Sequence, residues 1–226
     1  TAPNFIAITM PVVNIGKVDN KGFELVLKWN HSIGDFKYWI NGNLSYAKNK
    51  IVYKDEIPHK YPWLYETGQS VGQPFGFIFD GFVTEADLES GKLPDHKLDL
   101  KPGDAKYKDL NGDGKITDED QTFLGYPNQP EITYGFGFSA GYKGFDLSMF
   151  FQGNARVSFF IDPRNTSPFV NYDAGDRIGV QQCLDVIAND HWSENNRDIY
   201  AFWPRLSPTL VDNNMVTSTW WMHDGS

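Results

Sequence analysis

Four runs of this chain alternate strictly between apolar and polar or small residues, and a period of two over such lengths specifies strands rather than an amphipathic helix. From Gly22 to Trp29 the residues Phe23, Leu25, Leu27 and Trp29 point one way, and Glu24, Val26 and Lys28 the other. From Lys37 to Tyr46 one face carries Tyr38, Ile40, Leu44 and Tyr46, the opposite one Lys37, Trp39, Asn41, Asn43 and Ser45. Gly34-Asp35 between these runs predicts a tight hairpin, the first spanning about 22–47. Further on, Tyr134, Phe136, Phe138, Ala140 and Tyr142 alternate with Gly135, Gly137, Ser139 and Gly141. Across Lys143-Gly144, Phe145, Leu147, Met149 and Phe151 alternate with Asp146, Ser148, Phe150 and Gln152.

Each run is about 8–11 residues long, which suits a tilted membrane-spanning strand. Aromatic residues stand at the strand ends (Phe23, Trp29, Tyr38, Tyr46, Tyr134, Tyr142 and Phe151), as rings do at the two water interfaces of an outer-membrane barrel. A soluble sandwich with one buried face has the same alternation, so alternation alone does not choose between them. Between the hairpins, the segment from about Ile57 to Pro130 is rich in Gly, Pro, Asp and Lys, and from Ile161 to Ser226 the chain again reads as loop, with a short helical turn in 181–189. Brief turns on one side and long aromatic excursions on the other are the asymmetry of outer-membrane barrels.

Composition narrows the partners. With 20 Lys and Arg against 29 Asp and Glu in 226 residues, the net charge of −9 is a poor match to a phosphate backbone, and nucleic acid is not an expected partner. A single cysteine, Cys183, forbids an intrachain disulfide and any zinc site of the CxxC kind. No run reaches the ~18 apolar residues of a membrane-crossing helix. Thr1 in place of an initiator methionine, and a closing Trp221-Met222-His223-Asp224-Gly225-Ser226 without a terminating cap, predict a piece of something longer.

The sharpest local motif, Asp109 to Asp120, fits a twelve-residue calcium loop. Asp109, Asn111 and Asp113 would ligate by side chain, Lys115 by its carbonyl and Thr117 directly or through water, while Gly114 allows the sharp turn. Asp120 replaces the usual Glu at the last position and reaches less far. The competing reading is an Asx-rich turn whose carboxylates accept backbone N–H groups. Trp63, Tyr65, Trp192 and Trp203 are the candidates for stacking on a sugar or another flat substrate. Catalytic machinery is not apparent: Cys183 lacks a nucleophile signature, there is neither G-x-S-x-G nor H-E-x-x-H, and Asp80, Glu85, Asp87 and Glu89 read as a solvated acidic face.

Taken in order, the segments become more specific. Asn20-Lys21-Gly22-Phe23-Glu24-Leu25 is followed by 68–81 (GQSVGQPFGFIFDG), 102–114 (PGDAKYKDLNGDG), 125–130 (GYPNQP), and 142–153 (YKGFDLSMFFQG). This succession resembles the C-terminal portion of the SusC/RagA family of TonB-dependent outer-membrane transporters, over about 14–226. The resemblance implies an all-β fold forming part of a transmembrane antiparallel barrel, of about 22 strands in the whole protein, with long extracellular loops. It implies 1–56 and 131–160 as barrel strands, 57–130 as an extracellular excursion, and 161–226 as a loop leading to strands beyond this chain. It also implies no enzyme activity, a Gram-negative outer membrane of the Bacteroidetes type, glycan or peptide cargo, a SusD-like surface lipoprotein, and TonB engaged through an N-terminal region not contained here. The alternative from the residues themselves is a soluble, calcium-stabilised carbohydrate-binding β-domain; a secreted glycoside hydrolase ranks below both.

Overall fold

The computed structural model describes residues 15–169, 171–173 and 178–226. The strands are β1 (Gly16–Ile33), β2 (Phe36–Lys54), β3 (Phe75–Phe77), β4 (Phe79–Phe82), β5 (Ala105–Tyr107), β6 (Gln121–Phe123), β7 (Ile132–Tyr142), β8 (Phe145–Ala155), β9 (Ser158–Phe160), β10 (Asn171–Asp173), β11 (Ile178–Val180) and β12 (Met222–Asp224). Short helices are α1 (Glu85–Ser90), α2 (Pro163–Thr166) and α3 (Asp185–Asn189), the last falling within the expected 181–189.

The four alternating runs form one antiparallel sheet in the order β1-β2-β7-β8. Tight turns at Gly34-Asp35 and Lys143-Gly144 join its hairpins at one end, and Gly34 (φ 61°) and Gly144 (φ 90°) take the left-handed conformation that such turns require. The chain leaves the other end twice, after β2 and after β8. The first hairpin is longer than the expected 22–47, because β1 and β2 stay paired out to Gly16 and Lys54. Ladder hydrogen bonds need no alternating hydrophobicity, so polar residues such as Asn20, Lys21, Lys48 and Asn49 extend the ladder without announcing it in the sequence.

The two excursions pack against each other and make a head that contains the buried core. Phe82, Trp192 and Ala201 form one cluster, Ala105, Tyr107 and Ile116 a second, and Ile187, Trp203 and Trp221 a third. Small ladders β3–β6, β4–β5 and β9–β12 brace it. The excursions are joined by a polar knot around Asp104, which is fully buried. Its Oδ1 lies 2.7 Å from Arg205 Nε and accepts from Asn214 Nδ2 at 2.9 Å, and its Oδ2 accepts from Lys101 N at 2.8 Å. Asn214 Oδ1 in turn accepts from Ala105 N, and Tyr107 donates its hydroxyl to Asn213 O at 2.6 Å. Burial pushes the Tyr107 phenol far up, which keeps it a neutral donor. Gly103 (φ 88°) lies so close to the Trp192 ring that a β-carbon would collide with it.

Candidate functional site

The four-stranded sheet β1-β2-β7-β8 forms a wall with two chemically distinct faces. Register places Phe23, Leu25, Leu27 and Trp29 of β1 beside Tyr46, Leu44, Gly42 and Ile40 of β2. Those residues continue into Ile132, Tyr134, Phe136 and Phe138 of β7, then Ala155, Gly153, Phe151 and Met149 of β8. The other face carries Glu24, Ser45, Thr133 and Asn154 in one row, and Asn30, Trp39, Ser139 and Ser148 in another, with a Ser139–Ser148 hydroxyl contact of 2.8 Å. Gly135 and Gly137 leave the space that Asn43, Asn41 and Phe150 fill.

Nothing among the described residues packs over the middle of the apolar face. Phe136 is 50% and Met149 48% exposed, where the inner layer of a sandwich would be buried. Its ends are ringed: Phe36, Tyr38, Tyr142 and Phe145 near the turns, Phe23, Tyr46 and Tyr134 near the excursions. From Tyr134 to Tyr142 the strand covers roughly 27 Å at ~3.4 Å per residue, which after tilting is comparable with the ~25 Å apolar band of outer-membrane barrels.

The Asp109–Asp120 loop is shaped by its own hydrogen bonds. Asp109 accepts from Gly112 N at 2.7 Å and Gly114 N at 2.8 Å, Asn111 Oδ1 from Asp113 N at 2.9 Å, and Asp113 Oδ1 from Lys115 N at 2.9 Å. Against a desolvation cost, the N–H groups of Gly114, Gly112, Asp113 and Asn111 hold the Asp109 carboxyl below its usual range. Asp120 departs from the expected ligand role: it is fully buried, accepts from Leu110 N at 2.9 Å and Thr117 N at 2.8 Å, and caps the turn that Thr117 begins. Thr117 Oγ1 is likewise occupied, accepting from Glu119 N. Among the described residues no group of three or more His, Cys, Asp or Glu side chains converges as a metal cluster.

The aromatic candidates separate. Trp192 is 6% and Trp203 2% exposed, so both rings are packed in the head rather than free in a loop, and the expectation that Trp203 stacks on substrate is corrected; Trp192 still borders a cavity of about 380 Å³ between Lys101 and Arg205. Trp63 is half-buried, stacks on Tyr61 at 4.6 Å and 9°, and donates Nε1–H to Glu119 O at 2.8 Å. Tyr65 donates its hydroxyl to His59 O and accepts from His59 N. Neither lines the cavity of about 950 Å³ at the foot of the head; Trp63 and Tyr65 are bonded to two of its lining residues, Glu119 and His59, which share it with Ile51, Lys54, Glu56 and Leu64 among others. Glu56 escaped the reading of the sequence. It accepts from Glu66 N at 2.9 Å and Thr67 N at 2.8 Å, closing the cavity wall, and an acid bonding about ten residues away leaves no local pattern.

An amphipathic wall with an uncovered apolar face, brief turns at one end and a packed head at the other, defines a segment of an outer-membrane-type β-barrel. No family model matches the chain. It is 28% identical over 165 residues to TonB-dependent receptor P3 of Formosa agariphila and 31% identical over 165 residues to TonB-dependent receptor P26 of the same organism. Those matches cover 67% and 68% of this chain but 16% of each relative, so the chain spans about one sixth of the curated relatives it matches. Its fold follows the RagAB peptide importer in the open-open state with a TM-score of 0.62 at 16% identity, over 99% of this chain and 22% of that one. The closed-closed state of RagAB gives 0.57 at 18% identity, over 96% of this chain and 23% of that one. Sequence and fold agree: the chain matches a segment of a TonB-dependent receptor, and that segment has the fold of the corresponding part of the RagAB importer. The proteins it matches are receptors and importers rather than enzymes.

Proposed function

We propose that this chain forms part of the wall and the external head of a TonB-dependent importer in the outer membrane. The observation that carries this reading is the in-register apolar face, uncovered and ringed at both ends, with both excursions leaving from one end. In lipid that face needs no protein partner, and the polar face borders a wet lumen; the ladder continues into neighbouring strands, since an open edge is not tolerated there. The head stands outside and meets a SusD-like lipoprotein, the TonB complex acts through other regions of the protein, and the cargo is an oligosaccharide or a peptide. The cavity lined by Glu56, His59, Leu64 and Glu119, behind which Trp63 and Tyr65 are bonded, is the part of this chain suited to contact it.

The test is made on the full-length protein. A dye on Met149→Cys, in a Cys183→Ser background, should be quenched by lipids with brominated chains, and a dye on Ser148→Cys should not. Equal shielding of both positions from lipid would overturn the wall reading. Disruption of the gene should abolish uptake of a fluorescent oligosaccharide or of a peptide, and the one lost names the cargo.

For the loop, the residues fit a divalent cation in part. Asp109, Asn111, Asp113 and the Lys115 carbonyl are hard oxygen donors of the type Ca²⁺ takes, whereas Asp120 is spent on backbone N–H groups. The proposal is a weak Ca²⁺ site that tightens a loop already held by Asx turns. Calorimetry with millimolar Ca²⁺ should register binding that Asp109→Asn weakens; no heat at that concentration removes the cation and leaves the Asx turn as the whole account.

A further inference from the structure

At the excursion end the apolar face of the wall turns basic. Two residues beyond the Phe23–Tyr46 pair, Lys21 lies directly opposite Lys48; two further on, Lys50 lies opposite Asp19. By strand alternation these side chains leave the sheet on the same side as Phe23 and Tyr46. Lys21, Lys48 and Lys50 are exposed, and among the described residues none forms an ion pair, with Asp19 or otherwise. At the same height the other face is uncharged, with Gly22 opposite Ala47 and Asn20 opposite Asn49. The turn end of the apolar face closes instead on Ile33 and Phe36.

Like charges directly opposite each other on paired strands repel, and Lys21 and Lys48 carry that cost at a place where an anion would offset it. The row stands about 7 Å beyond the aromatic ring, taking two residues at ~3.4 Å each. Rings settle at the membrane interface, so one step outward is the height of headgroup phosphates. Lysine suits that position, since its stem lies along apolar surface while its ammonium acts as a point charge toward phosphate.

We propose that Lys21, Lys48 and Lys50 form a binding site for the phosphate groups of an anionic lipid in the outer leaflet. The site rests on the wall reading above. It tethers the external end of the first hairpin to the membrane surface, directly below the cavity-bearing head.

The experiment uses full-length protein in detergent, titrated with bisphosphorylated lipid A, with the same glycolipid after removal of its phosphates, and with inorganic phosphate, and read by native mass spectrometry. The intact protein should prefer the phosphorylated lipid by about tenfold or more. The triple substitution Lys21→Gln, Lys48→Gln, Lys50→Gln should lose the preference, and Lys28→Gln, on the polar face, should retain it. Retention of the preference by the triple variant overturns the site, as does displacement of the lipid by equimolar inorganic phosphate. The brominated-lipid readout at Met149→Cys separates the two failures. Quenching without phosphate preference ends the lipid site alone, whereas absence of quenching ends the wall reading beneath it.

Discussion

Wall and head draw on the same aromatic-rich sequence and put it to opposite use. In the head Trp192, Trp203 and Trp221 are packed out of contact with solvent, whereas on the apolar face of the wall Trp29 is 58% and Phe136 50% exposed. In the head a ring gains by leaving water for neighbouring side chains; in the wall the gain comes when lipid replaces water, with no protein contact needed. Aromatic content therefore does not reveal which solvent a segment is built for. What distinguishes the two regions is whether the apolar residues keep one side of a ladder, as from Phe23 to Trp29, or gather from distant points, as Phe82, Trp192 and Ala201 do.

The contrast can be broken by substitution. Trp203→Ala should cost the head about 3–5 kcal/mol as a large-to-small change in a packed core, read as faster amide exchange at Val83 and Ala105 while the wall keeps its heat-modifiable gel mobility. Met149→Arg should do the reverse. It places a charge near the middle of the lipid-facing band at a cost of about 2–4 kcal/mol, seen as lost folding into vesicles with the head's exchange unchanged, and Ser148→Arg on the polar face should fold. If both arginine variants fold equally, the two faces do not differ in solvent. Thr84→Ala removes the cap that accepts from Asp87 N on α1 and should cost about 1 kcal/mol, confined to exchange within 85–90.

The smallest effect is one of pH. Burial pushes His96 below its ordinary value of 6.5, against the opposing influence of the Pro94 carbonyl and of Asp95. Its Nδ1 lies 2.7 Å from Pro94 O, and its Nε2 accepts from Tyr107 N at 3.2 Å, which fits the neutral ring. A group held neutral in the fold supports stability fully above the unfolded value. As pH falls below about 6.5 the unfolded chain takes up its proton first, so the head loses stability until the lower folded value is passed. Amide exchange at Tyr107 should accelerate over that window, and His96→Gln should flatten the trend.

The local pattern carried much of the wall. The alternating runs located all four strands and both turns, since each signal lies within about ten residues. The loop at 109–120 was legible as a turn rich in oxygen donors, because Asp109, Asn111 and Asp113 bond within a few residues of themselves. The fate of Asp120 was not legible: a motif position does not say whether a carboxylate turns toward a cation or toward the N–H groups of Leu110 and Thr117. The burial of Trp192 and Trp203 was not legible for a related reason, since a tryptophan in a long loop looks free until the packing partner is known.

The sequence by itself settled that this chain makes amphipathic strands joined by brief turns on one side and long excursions on the other. Periodicity is a property of neighbours, and neighbours are what a sequence displays. Only the tertiary structure decided that β2 and β7, separated by a whole excursion, align so that Ile40 meets Phe138 and Leu44 meets Tyr134 on one continuous face. It alone decided that two excursions close into one head around Asp104, Arg205 and Asn214. Those contacts join residues about a hundred positions apart, where the gain comes from mutual burial and charge pairing and leaves no repeating mark along the chain.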